Sequence, residues 1–184
     1  MGLRLPGDSP YAGIALAVDL RVNLGDVLDR CRGLEKRAAA LYRSFAAGAR
    51  QPDLCALWTA MAREEEEHAR VLDDERAHLP TIEAWLTDLS NWHEVVCEIE
   101  AKLSEAELLA SGAGADQQLA AALELEMTEI EPVRQMLVAA SEHRPPRPIA
   151  QNHALRLADA AERFSTDPHV RQQAALLRAR TRAW

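Results

Sequence analysis

The sequence predicts an all-α protein built on an antiparallel four-helix bundle, and three of its features support this prediction. Strong helix formers (Ala, Leu, Glu and Arg) dominate the chain, whereas aromatic residues make up only 4% of it. Runs of β-branched residues are few, so little favours strands. Apolar residues recur at helical spacing over four long segments, and short breaks join these segments in pairs. Helices joined by so short a turn pack antiparallel.

The first pair of helices is predicted to follow an N-terminal arm, residues 1–22, that contains Gly and Pro. Asn23 is a helix-capping residue, and the apolar stripe behind it predicts a helix over 23–49. Pro52 lies in the turn that starts the second helix, which ends near Leu79. Each helix has about 27 residues and is therefore about 40 Å long.

The second pair begins after a stretch from Thr81 to Leu89 that is also predicted to be helical. A third helix is predicted from about Trp92 to Ala110, where the glycine-rich segment 111–115 breaks it. The fourth helix starts at Asp116, and Pro132 should kink it. The predicted bundle thus covers residues 23–142.

A proline-rich linker, residues 143–148, separates the bundle from a C-terminal extension over 149–184. The extension holds two amphipathic segments, roughly 150–165 and 168–182, that are too short to form a domain. We expect them to dock on the bundle or on a second subunit, and together with the apolar N-terminal arm they predict a homodimer. The segment after Asp167 has no acidic residue, and its arginines are expected to meet the acidic bundle of the same chain or of a partner.

Charge and cysteine content exclude several function classes. A net charge of −8 argues against nucleic acid as a partner, because phosphate binding needs a basic face. Cys31, Cys55 and Cys97 are scattered, which fits neither a disulfide framework nor a four-thiolate metal site and indicates a reducing compartment, hence the cytoplasm. The apolar stretch 11–18 is too short to span a bilayer and lacks the features of a signal peptide, so no membrane role is expected.

The run from Glu64 to His68 is the main chemical signal. Four consecutive glutamates sweep most of a helix circumference, so they cannot all face water. The apolar stripe puts Glu65 and His68 on the buried side, three residues apart, where both can reach one point. A buried carboxylate without a partner is very costly, so a bound cation is one interpretation of this pair. A solvated acidic helix face is the other.

Glutamates on the other predicted helices strengthen the metal hypothesis. Glu35 and Glu65 are at similar distances from the turn between their helices, so an antiparallel hairpin puts them at the same height. Glu100 and Glu126 have the same relation to the second turn. Each of the four helices therefore offers a carboxylate near mid-height.

The segments Leu34–Tyr42 and Ala62–Ala69 resemble the first hairpin of the rubrerythrin branch of the ferritin-like superfamily, and the resemblance extends over roughly 23–142. It implies a non-haem di-iron oxidoreductase, a peroxidase or ferroxidase that acts on peroxide, dioxygen or ferrous iron. One side of its centre would be held by Glu35, Glu65 and His68. The other side would need a glutamate from the third helix and a Glu-x-x-His from the fourth.

The fourth helix departs from that family pattern. The position three residues after Glu126 is Glu129, not histidine. Either Glu129 is a ligand in an all-carboxylate half, or the second half has decayed and the site is incomplete or empty. On the third helix, either Glu100 or Glu107 could be the ligand, and we prefer Glu100 only because it lies at the same height along the bundle as Glu126.

The resulting hypothesis is a centre of two iron ions or of another divalent metal, with an empty site as the remaining possibility. No catalytic residue is assigned, and no residue is assigned to an organic cofactor. Since the chain has no Cys-x-x-Cys pair, electrons would come from an external donor protein. The alternative function is a metal-free ferritin-like scaffold or protein-interaction module. The predicted metal ligands are Glu35, Glu65, His68, Glu100, Glu126 and Glu129.

Other residues near the predicted site have ordinary interpretations. Tyr42 would either hydrogen-bond a ligand carboxylate or serve as a core aromatic residue. Cys31 is expected to be a small core hydrophobe. The remaining histidines share no spacing with acidic residues, and most of them are predicted to lie at the surface or to cap helices. They are His78, His93, His143, His153 and His169.

Overall fold

The protein is described by a computed structural model, which covers residues 22–78, 85–86, 92–109, 112–140 and 149–182. The described chain is helical apart from one pairing of two-residue strands, β1 (Val22–Asn23) and β2 (Trp85–Leu86). The six helices are α1 (Leu24–Gly48), α2 (Pro52–His78), α3 (Trp92–Leu109), α4 (Ala115–Ala140), α5 (Ile149–Phe164) and α6 (Pro168–Arg182). Their bounds lie within a few residues of the predicted ones.

Helices α1 and α2 pack along each other. Asp26 lies in the first turn of α1, where a negative charge interacts favourably with the helix dipole, and α2 starts at Pro52, a residue suited to a first helical position. Their shared face buries Tyr42, Phe45 and Trp58, and Trp58 meets the Phe45 ring edge-on at a centroid distance of 5.2 Å. Burying such aromatic side chains supplies much of the energy that holds two helices together.

The predicted helical stretch from Thr81 to Leu89 is wrong where the structure describes it. Trp85 and Leu86 are extended and pair antiparallel with Asn23 and Val22. β-ladder hydrogen bonds between distant residues override the local helical pattern here. The rest of that stretch, and residues 1–21 of the predicted arm, lie outside the described residues.

Helices α3 and α4 pack on each other, and α3 also contacts α1. Val96, Ile99 and Leu103 of α3 are buried with Leu119 and Leu123 of α4. Helix α4 is continuous through the position of Pro132, and the side chains at 129–140 lie outside the described part of the chain.

Helices α5 and α6 pack on each other and dock on their own chain, against α4 and, for α5, also α2. Leu157 of α5 and Leu177 of α6 are fully buried in the common core. The turn between them is fastened to the start of α4, because Asp116 accepts hydrogen bonds from the Ser165 hydroxyl (2.5 Å) and the Thr166 backbone N–H (3.1 Å). None of the helices in the described ranges is long and apolar enough to cross a membrane.

Candidate metal centre

The predicted pair on α2 lies in the protein interior beside the glutamate of α1. Glu65 Oε2 is 2.8 Å from His68 Nδ1, and Glu35 Oε2 is 3.6 Å from the same nitrogen. Glu35 and Glu65 are both buried, and His68 keeps 19% of its side chain exposed. The apolar stripe of α2 dictates this orientation, since Trp58, Met61 and Leu72 lie on the same buried side.

A second half is formed around the same Glu65 by Glu126 of α4 and His153 of α5. His153 Nε2 lies 2.7 Å from Glu126 Oε1 and 3.1 Å from Glu65 Oε1. The His153 side chain is only 1% exposed. Four helices, α1, α2, α4 and α5, therefore contribute donors to one buried cluster.

The expectation that His153 lies at the surface or caps a helix was wrong. His153 occupies the same face of α5 as Leu157 and Ala161, which follow it at intervals of four residues and are fully buried. This spacing was a signal that pointed His153 inward. It carried no indication of the acidic residues on the other side, because these come from distant segments. Of the other histidines, His169 is exposed as predicted, whereas the side chains of His78, His93 and His143 lie outside the described part.

The cluster contains two groups of three potential metal ligands, and Glu65 belongs to both. One group is Glu35, Glu65 and His68; the other is Glu65, Glu126 and His153. In each group one ligand atom from every residue lies within 4.8 Å of the others. Glu65 presents Oε2 to the first histidine and Oε1 to the second, so its two oxygens face different halves. A carboxylate in this position is suited to bridge two cations.

Burial and neighbouring charges shift the titration of the first group. Burial, together with the charge of Glu65, raises the pKa of Glu35 to about 8. Burial alone would lower the pKa of His68, but the adjacent Glu35 and Glu65 carboxylates raise it to about 10. Without metal, both side chains of this half therefore hold their protons more tightly than free Glu and His side chains do.

The second group is an ion pair within the core. Burial disfavours the charged form of His153, yet the Glu126 and Glu65 carboxylates raise its pKa well above the ordinary value. For Glu65, burial is outweighed by His153 and His68, which lower its pKa well below the ordinary value. The two imidazoliums thus balance carboxylates that could not remain charged alone.

Two buried atoms within the described part of the cluster have no hydrogen-bond partner, namely Glu35 Oε2 and His68 Nε2. Buried polar atoms are rarely left unpaired, so these two indicate a further binding partner such as an ion. Carboxylate oxygens and imidazole nitrogens are ligands that iron, manganese and zinc accept. The donor set and these unpaired atoms fit a metal centre.

Two further side chains, those of Tyr42 and Glu64, contact residues of the cluster. The Tyr42 hydroxyl donates a hydrogen bond to Glu126 Oε1 at 3.3 Å, while its ring stacks on Trp58 with centroids 5.8 Å apart. Both interpretations of Tyr42 therefore apply. Glu64 Oε2 lies 2.9 Å from His153 Nδ1, and Glu64 Oε1 is 2.5 Å from an Arg156 guanidinium nitrogen.

Glu100, the ligand predicted on α3, does not lie in the cluster, and neither does its competitor Glu107. Glu100 pairs with Arg30 at 3.0 Å, and Glu107 pairs with Arg37 at 2.8 Å. Both glutamate side chains are 39% exposed. The side chain of Glu129 lies outside the described part of the chain.

An open groove of about 480 Å³ lies between α3, α4 and α6. Val95 and Met127 give it apolar surface, and its charged lining is mixed, with two basic and two acidic residues: Lys102, Arg180, Glu98 and Glu124. None of its lining residues belongs to the two groups of potential ligands. The groove is therefore separate from the candidate metal centre.

Comparison of the chain with protein-family models, with curated proteins and with solved structures gave no match.

Proposed function

We propose that this protein is a dimetal carboxylate protein of the ferritin-like, rubrerythrin-related type, and that it acts as an oxidoreductase on peroxide, dioxygen or ferrous iron. The observation that carries the proposal is the arrangement of five donor residues, four of them buried, in two groups that share Glu65. The antiparallel four-helix bundle of α1–α4 is part of the same proposal. It is supported by the close packing of α1 on α2, α3 on α4 and α1 on α3.

Glu35 and His68 would hold one ion of the proposed centre, Glu126 and His153 would hold the other, and Glu65, which belongs to both groups, would serve both. Iron held by these residues would supply electrons to peroxide or dioxygen. The residues of this chain exclude water, fix the ligand oxygens and hold protons at His68 and Glu35 when metal is absent. His153 of α5 takes the role of the imidazole that the fourth helix lacks.

The proposal requires an external electron-donor protein, because none of the three cysteines forms a Cys-x-x-Cys pair. None of the three cysteines, all of which lie in the described ranges, forms a disulfide, which is consistent with a reducing, cytoplasmic compartment. We further propose a homodimer, in which the basic surface of α6 around the exposed Leu176 meets the acidic body of a second copy. Light scattering measures that assembly directly.

The experiment that tests the function is metal analysis of the purified protein before and after anaerobic ferrous loading, followed by exposure to air. We expect two iron ions per chain and an oxo-bridge absorption band after oxidation. His153→Ala should bind one ion, and the exposed His169→Ala serves as its matched control with two. Binding of no ion by the wild-type protein under any loading condition would refute the proposal.

A metal-free scaffold or interaction module is the second candidate, and one observation favours it. His153 lies between Glu64, Glu65 and Glu126, so its imidazolium already compensates the buried carboxylates of the second half. Under this alternative the cluster stabilises the docking of α5 and never binds an ion. The same metal analysis distinguishes the two candidates.

A further inference from the structure

Helix α5 supplies a ligand to the proposed centre although it follows the four helices of the proposed bundle. His153 is the fifth residue of α5, in a part of the helix where ends ordinarily fray. Its Nε2 must nevertheless stay within reach of both Glu65 and Glu126 for the second group to exist. Something near His153 therefore has to hold the first turns of α5 in place.

Arg156 is the anchor that lies closest to His153 along the helix. It follows His153 by three residues, so both side chains project from the same face of α5. The two oxygens of Glu64 divide between them, one at 2.9 Å from His153 Nδ1 and the other at 2.5 Å from the Arg156 guanidinium. A single carboxylate of α2 thus contacts two consecutive turns of α5.

Apart from the contacts of His153 and Arg156, the described side-chain polar contacts of α5 with α2 and α4 lie near its other end. Arg163 pairs with Asp53 of α2 at 3.0 Å, and Ser165, just after α5, hydrogen-bonds Asp116. These contacts are seven residues or more beyond Arg156, about 10 Å or more along a helix. They cannot fix the start of α5 as closely as the pair of Arg156 and Glu64 does.

We propose that Arg156 is a positioning residue that holds, through Glu64, the first turns of α5 against α2. His153 therefore completes the second metal position only while α5 is docked. This inference rests on the proposed function. Because coupling between binding and docking is reciprocal, an ion at the second position stabilises the docked arrangement of α5 in return. The first position contains no residue of α5 and is linked to this docking only through the shared Glu65.

The test is a titration of the metal-free full-length protein with Co(II), monitored by its visible absorption. Arg156→Gln is compared with Arg163→Gln, a matched control that removes the same charge from α5 and a partner on the same helix α2. We expect Arg156→Gln to bind the first ion normally and the second about 10- to 100-fold more weakly. Arg163→Gln should bind both ions as the wild type does, and Arg156→Lys should recover part of the loss.

Amide hydrogen exchange of α5 supplies a readout that does not depend on metal-centre activity. In the wild type, protection of α5 should increase when the second ion binds, and this increase should be smaller in Arg156→Gln. The proposal is overturned if both variants bind Co(II) like the wild type, or if Arg163→Gln weakens the second ion equally.

Failure of the wild type to bind any Co(II) would count against the proposed function instead. Exchange in the metal-free variants then decides the role of Arg156. Faster exchange of the first turns of α5 in Arg156→Gln than in Arg163→Gln would support its positioning role, and equal exchange would refute it.

Discussion

The glutamates of α3 differ from those of α1, α2 and α4 in the cations that they contact. The comparison shows how the neighbouring cation decides the role of an acidic residue. Glu35 and Glu65 face histidines in the core, and no arginine pairs with them in the described contacts. Glu100 and Glu107 instead meet Arg30 and Arg37 across the contact between α1 and α3. The two glutamates are seven residues apart on α3, and the two arginines are seven residues apart on α1, so the same kind of ion pair is repeated along the surface.

The difference is one of solvation and charge. An arginine is always protonated, so a glutamate paired with it at the surface has its charge balanced and its side chain partly hydrated. A histidine can lose its proton and offer a nitrogen to a metal ion. The glutamates that face histidines are therefore the ones that can exchange protons for metal.

The largest expected effect concerns Glu65, the residue shared by both groups. Glu65→Gln should abolish binding of both Fe(II) ions, because the bridging carboxylate loses its charge and one oxygen. Elemental analysis after anaerobic loading measures the loss. Glu66→Gln, which removes the neighbouring glutamate paired with Arg43, is the matched control and should retain both ions. Retention of two ions by Glu65→Gln would contradict the shared-ligand assignment.

The stability of the metal-free protein should depend on pH through the same cluster. The pKa of Glu35 is raised from 4.5 to about 8 and that of His68 from 6.5 to about 10. A raised pKa means that the folded state binds the proton more tightly, so these two contributions are lost as pH rises through 8 and 10. Glu65, whose pKa is lowered, contributes stability above its ordinary value of 4.5, and that contribution is lost in acid.

We therefore expect the free energy of unfolding of the metal-free protein to fall between pH 6 and pH 10. Urea denaturation over this range measures it. His68→Gln should flatten the decline, whereas the exposed His169→Gln should leave it unchanged. A wild-type stability that stays constant from pH 6 to pH 10 would rule out this charge arrangement.

Tyr42 should contribute less to stability than the charged groups of the cluster do, because its phenol makes a long hydrogen bond to Glu126, at 3.3 Å. Tyr42→Phe is expected to lower the free energy of unfolding by about 1 kcal/mol, the usual net value of such a bond. The stack on Trp58 should survive, since the ring is retained. Denaturant unfolding and metal analysis together check this prediction, and loss of the second ion would show that Tyr42 does more than orient Glu126.

The smallest effects are expected on α3. Glu100→Gln should change stability by less than about 1 kcal/mol, as is typical of partly exposed ion pairs. It should leave two ions per chain, and Glu107→Gln should behave alike. Thermal unfolding and elemental analysis measure both quantities. Loss of an ion in Glu100→Gln, but not in Glu107→Gln, would show that Glu100 is a metal ligand.

Local physical chemistry made much of the helical structure predictable. Apolar spacing, the turn at Pro52 and the glycine-rich break near Gly112 located the first four helices to within a few residues. The stretch around Trp85 was mispredicted, because strand pairing with Val22 is a long-range contact that no local pattern encodes. Helix boundaries could be predicted from the sequence wherever the interactions that determine them lie within one helix or one turn.

The same distinction holds for the candidate site. By itself the sequence determined that Glu65 and His68 share a buried face, and the hairpin heights added Glu35, because helical spacing and a short turn decide both. Only the tertiary structure decided that α5 brings His153 to Glu126 and that Arg30 draws Glu100 to the surface. These pairings depend on how helices distant along the chain pack side by side, which is settled by burial and charge balance across the whole core.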